Sequence, residues 1–158
     1  MSGSSIEKEL LGETSERREF NFENYQKYSE AMEAAKKLQP GDPKDPKTDF
    51  AYEVLVQLED LLGAEDQIGF YTAVGTILDH MHGVDAWFEL DDGRIATIDV
   101  TTARGGKGGA KADIDFAVPH DGLDRSVDEE QFLKFAKVLV ARVAEVFAEE
   151  EQVVYKAS

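Results

Sequence analysis

The 158-residue sequence contains no cysteine, so neither a disulfide framework nor a thiolate metal site can be built. The lack of cross-links agrees with a reducing compartment, and the cytoplasm is the expected location. No stretch approaches the roughly 18 consecutive apolar residues that a membrane span requires. The opening MSGSSIEKELLGETSERREF also lacks the apolar centre of a secretion signal, so neither insertion nor export by a standard signal is expected. Basic residues are scarce too. There are 17 of them against 33 acidic ones, and the formal charge of −16 makes a field that repels nucleic acid from most of the surface. An acidic surface of this kind suits a host with high internal salt, and it leaves room for a local basic patch. A Ser/His/Asp nucleophile elbow is missing, as are the glycine spacings of phosphate-binding and dinucleotide-binding loops.

What is present is regular enough to fold. Apolar residues make up 42 % of the chain and recur in blocks, and the length suits one ordinary domain. The first twenty residues are polar and mixed in charge, and they are expected to form a mobile arm. Phe22, Tyr25, Tyr28, Met32, Ala35 and Leu38 are spaced for an amphipathic helix, which can pack on its own domain or meet a protein partner or a second copy. Gln39–Lys47 crowds three prolines and a glycine into a linker. The expected organisation is therefore an arm, helix and linker over 1–47 and a core over 48–158.

In that core, Thr48 or Asp49 can cap a helix that runs to Gly63. The spacing of Ile68, Tyr71, Val74, Ile77, Leu78 and Met81 predicts a second helix over Ile68–His80. Val84–Leu90 and Arg94–Thr102 then read as a hairpin around Asp91-Asp92-Gly93, with Ile95, Thr97, Asp99 and Thr101 on one face of the second strand. Ala103–Lys111 holds four glycines and three basic residues and no acid, and reads as a flexible cationic loop. A strand over Asp113–Val118, a helix over Val127–Glu150 and a last strand over Gln152–Tyr155 complete an α/β fold with a mixed sheet.

Apart from the helix predicted at Ile68–His80, this order resembles the αβββαβ core of the PD-(D/E)XK, or restriction-endonuclease-like, nuclease superfamily, over about two thirds of the chain. The family carries one Asp at the start of the second core strand region, a second acid followed two residues later by Lys on the next strand, and often a Glu on the first helix. Asp85 and Asp99 take the two acid positions here, and Glu53 lies on the preceding helix. The resemblance implies a metal-dependent nuclease acting on DNA or RNA phosphodiesters. Mg²⁺ or Mn²⁺ would be held by Asp85, Asp99 and the Val100 carbonyl, with Glu53 as auxiliary ligand or base. Such chemistry suits hard oxygen ligands, because the metal must activate water and offset charge on the phosphate.

The sequence departs from the family at Thr101, which stands where active members usually have Lys. Threonine carries no cation to orient a nucleophile. Lys107 or Lys111 can replace it from the glycine-rich loop, where Arg104, Lys107 and Lys111 together form a candidate clamp for nucleic-acid phosphates. The lost lysine equally marks a relative that does not cut, an acidic interaction or regulatory module. A third possibility is an unrelated α/β binding module with accidental spacing. His80 and His82, beside Asp79 and Asp85, invite a zinc or manganese reading, but at i and i+2 they point apart and suit a helix cap better. Asp113 and Asp115 share a strand face and either extend the acidic site or face water. Trp87 is the single tryptophan and is expected to anchor a sheet face.

Overall fold

The computed structural model describes residues 3–14, 28–102 and 112–157. In chain order they form α1 (Gly3–Leu11), α2 (Tyr28–Lys36), α3 (Asp49–Leu62), β1 (Ile68–Thr72), α4 (Ile77–His82), β2 (Ala86–Leu90), β3 (Ile95–Thr101), β4 (Ile114–Ala117) and α5 (Glu129–Ala157). The four strands make one mixed sheet in the order β1-β2-β3-β4. The pairs β1/β2 and β2/β3 are antiparallel and β3/β4 is parallel. No helix among the described residues is long and apolar enough to cross a membrane.

Strand alternation sends side chains to two different layers. Phe70, Phe88, Ile98, Val100 and Phe116 point to one face, where they pack with Ile6 and Leu10 of α1, Phe50 and Val54 of α3, and Phe132 and Leu139 of α5. The Phe50 ring stacks on Phe116 at 5.9 Å and meets Phe132 edge-on at 5.6 Å. On the other face Trp87 is fully buried among Ala31, Met32 and Ala35 of α2 and Leu78 of α4, with Tyr71 stacked on it at 5.0 Å. The expected role of Trp87 as a sheet-face anchor holds.

The hairpin of β2 and β3 also forms as its composition requires, with Trp87 opposite Thr97 and Gly93 in the turn at φ +99°. The helix from Thr48 to Gly63 is bounded as expected. The Thr48 hydroxyl accepts from the Ala51 N–H, and Gly63 takes the left-handed conformation that ends the helix.

Three expectations differ from the structure, and a fourth falls partly outside the described residues. The polar N-terminus is not a mobile arm over Gly3–Leu11, because Ile6, Leu10 and Leu11 seat that helix in the main core. The helix expected over Phe22–Leu38 is described only from Tyr28 to Lys36, and 15–27 lie outside the described residues. Ile68–Thr72 is a strand rather than the start of a helix. The helical reading leaves Phe70 off its apolar face, whereas strand alternation buries Ile68 and Phe70 together and sets Phe70 against Phe88, their ring centres 4.9 Å apart. Finally, Gln152–Tyr155 continues α5 instead of forming a strand. Neither proline nor glycine interrupts Glu129–Ala157, and Asp128 starts the helix by accepting from the Gln131 N–H. Helix α5 therefore follows β4, and among the described residues no strand follows α5.

Candidate metal centre

The first acid of the site lies where the chain enters β2. The Asp85 N–H donates to the Ile98 carbonyl at 2.8 Å, and its own carbonyl accepts from the Ala73 N–H at 2.7 Å, so its backbone is fixed on both sides. The side chain is only 1 % exposed, and its Oδ2 accepts from the Val100 N–H at 2.7 Å. Val100 is thus tied to the site through its backbone N–H. Asp99, half-buried on β3, is hydrogen-bonded to the Asp85 carboxyl. The two acids singled out by the sequence therefore meet, and the hairpin brings them together.

Two further acids complete the group. Asp79 lies in the first turn of α4, where Thr76 Oγ1 accepts from its N–H and its own Oδ2 accepts from the Gly75 N–H at 3.1 Å. Glu7 comes from α1, whose C-terminal end is clamped by three threonines. Thr48 Oγ1 donates to the Leu10 carbonyl at 2.7 Å, Thr72 Oγ1 to the Gly12 carbonyl at 2.7 Å, and Thr14 Oγ1 to the Val74 carbonyl at 3.1 Å. One carboxylate oxygen each from Glu7, Asp79 and Asp85 lies within 4.8 Å of the others. The donors are all hard oxygens, and three carboxylates at that separation fit around a single hard divalent cation.

Burial is the largest influence on Asp85, and with the Asp79 hydrogen bond, the Asp79 and Glu7 charges and the Asp99 hydrogen bond it pushes the carboxyl up to about 11. Two carboxyl groups can share a hydrogen bond only if one of them carries the proton. At neutral pH that proton stays on Asp85. A cation among these oxygens would offset the same charge and displace it.

Glu53 does not join this group. It pairs with Arg125 and accepts from Gln57 Nε2 at 2.9 Å, and these partners, Gln57 foremost, hold its carboxyl below the usual glutamate range. Arg125 also covers the Phe132 ring at 4.8 Å, so Glu53 belongs to the α3/α5 packing. The helix acid of the site is Glu7, which sequence reasoning missed. Its signal was the IEKELL segment, where Ile6 and Leu10 at i and i+4 mark a buried helix face.

His82 is buried edge-on against Tyr28 at 5.5 Å and is not one of the gathered ligands; the side chain of His80 lies outside the described residues. Asp113 clips β3 to β4, its Oδ2 accepting from both the N–H and the hydroxyl of Thr97 at 3.0 Å. Asp115 is exposed and sits beside Asp99 in the parallel ladder. Thr101, at the position of the family's lysine, ends β3. Arg104, Lys107 and Lys111 lie outside the described residues. No protein-family model, curated protein or solved structure matches the chain.

Proposed function

We propose that this chain is a metal-dependent, nuclease-like domain of PD-(D/E)XK type that acts on nucleic-acid phosphodiesters. The observation that carries the reading is Asp85, an almost fully buried carboxyl joined to Asp79 and Asp99 and within 4.8 Å of Glu7. Burying one carboxyl against three other acids is costly, and a divalent cation is the partner that offsets the cost best. With β1 taken as the first strand, Asp85 immediately precedes the second, Asp99 lies on the next, and Glu7 stands on α1. Acids at two neighbouring strands and on a helix support the reading, while the strand that ends the family's αβββαβ order has no counterpart after α5 among the described residues.

Glu7, Asp79 and Asp85 would hold Mg²⁺ or Mn²⁺, with Asp99 alongside. The bound metal would polarise the phosphate and lower the pKa of an attacking water. The protein's part is to fix the carboxylates on three elements whose backbones are already clamped, and to hold a proton on Asp85 until the metal arrives. Arg104, Lys107 and Lys111 would meet the phosphates, and Lys107 or Lys111 would stand in for the lysine that Thr101 replaces.

Thr101 and the charge of −16 favour one second reading, in which the fold binds without cutting. Calorimetric titration of Mg²⁺ and Mn²⁺ into the wild type and Asp99→Asn, run beside cleavage assays on mixed DNA and RNA, separates the two. The nuclease reading expects binding that the variant weakens at least about tenfold, together with metal-dependent cleavage. Metal binding without cleavage leaves the second reading, and no binding by either protein removes the metal centre altogether.

A further inference from the structure

Helix α3 buries one face in the main core and leaves the opposite face uncovered. Tyr52, Val56, Glu59, Asp60 and Gly63 fall at i, i+4, i+7, i+8 and i+11, so they line one side of the helix for about 17 Å. They border an open groove of about 630 Å³ whose far wall is the segment around Lys44 and Asp45 and the turn at Glu65 and Asp66. Tyr52 is 51 % exposed and Val56 41 %; Leu61 and Leu62, at 60 % and 39 %, are exposed at the end of the same helix but outside the groove. Among the described residues these are four of the seven large apolar side chains that face solvent, all on one helix.

The rim carries a single sign of charge. Five carboxylates line the groove, and the one ammonium among them, Lys44, is already engaged by the Asp66 carbonyl at 2.6 Å and by Asp91 at 3.4 Å. We infer that this groove docks a cationic amphipathic helix of a partner protein, whose apolar face covers Tyr52 and Val56 while its Lys and Arg side chains meet Asp60, Glu65 and their neighbours. The rim repels nucleic acid and anionic lipid. A second copy of this chain, placed on the same face by a two-fold axis, would set acids against acids. The exposed length accommodates about eleven residues of partner helix at 1.5 Å per residue.

The test uses fluorescence polarisation of a labelled helical peptide of about 14 residues, with Leu at i, i+3, i+4 and i+7 and Lys elsewhere, at about 0.15 M salt. The titrated proteins are the full chain, Tyr52→Ser/Val56→Ser, Asp60→Lys/Glu65→Lys, and Glu30→Lys/Glu33→Lys. The last pair lies on α2, over the other face of the sheet, and makes the same change in net charge as the groove reversal. All the substituted side chains except Val56 and Tyr52 are charged and exposed, and those two lie on the uncovered face, so the variants should keep the wild-type circular dichroism. We expect the serine pair and the groove reversal each to weaken binding at least about tenfold, and the α2 reversal to change it less than about threefold. Equal losses from the two charge reversals with no loss from the serine pair would reveal only the diffuse field of an acidic protein and overturn the inference. So would the absence of saturable binding to the wild type.

Discussion

A carboxyl that is 1 % exposed and faces three other acids keeps its proton well past neutrality, and that proton controls how stability varies with pH. In the unfolded chain Asp85 would ionise near its ordinary 3.8, whereas in the folded protein it holds on to about 11. Between those values the folded state binds more protons, so raising the pH favours unfolding. The contribution is full below 3.8 and is lost as the pH rises towards 11, at up to about 1.4 kcal/mol per pH unit. Asparagine reproduces the protonated acid without a proton to lose. Its carbonyl can accept from the Val100 N–H, and its amide can donate to Asp79 and Asp99. We therefore expect Asp85→Asn to raise the Tm at pH 8 by about 4 °C or more and to flatten the fall in Tm between pH 5 and 8, while weakening divalent-metal binding. Thermal melts across that range check this, and parallel slopes for the two proteins would show that the proton is not held there.

At the scale of elements, α1 does two separate things: it fills the core with Ile6, Leu10 and Leu11 and it carries Glu7 to the site. These roles can be separated. Leu10→Ala should cost about 2–4 kcal/mol in denaturant unfolding and weaken metal binding as well, because the helix that carries Glu7 loosens. Glu7→Gln should weaken metal binding with little loss of stability, since it removes one carboxylate charge and keeps the buried face. If Glu7→Gln destabilised the fold as much as Leu10→Ala, Glu7 would be a structural residue. The same element shows where the sequence was readable. Asp85 and Asp99 stood out because they take the two acid positions of the family pattern on either side of the Asp-Asp-Gly turn, and that turn brings them opposite each other. Glu7 was hidden because a nine-residue helix with few apolar residues looks like solvated chain until the core it plugs is known. In β1, apolar residues at helical spacing competed with the strand preference of Ile68, Phe70 and Tyr71. Pairing with β2, a long-range contact that no local window contains, decided the outcome. Glu53 lay on a helix as the family pattern asks, but Arg125, far along the chain, held it elsewhere.

For the molecule as a whole, a charge of −16 on 158 residues means that the folded state compresses like charges which the unfolded chain spreads apart. Monovalent salt relieves that repulsion everywhere, because the screening length falls from about 30 Å at 0.01 M to about 10 Å at 0.1 M. A divalent cation bound at Asp85 acts differently: it stabilises by occupying one place, and the gain depends on its concentration relative to Kd. The two effects can be separated by holding ionic strength constant. We expect NaCl to raise the Tm of the wild type and of Asp99→Asn alike. Replacing part of the NaCl with MgCl2 or MnCl2 at the same ionic strength should raise the wild type further, by about 2.7 kcal/mol of stability when the metal is at a hundred times Kd, and should raise Asp99→Asn, whose binding is at least about tenfold weaker, by no more than about 1.4 kcal/mol. An equal response of both proteins would mean that divalent ions act only through the general field. The four acids would then be a strained feature of the fold, with no ligand of their own.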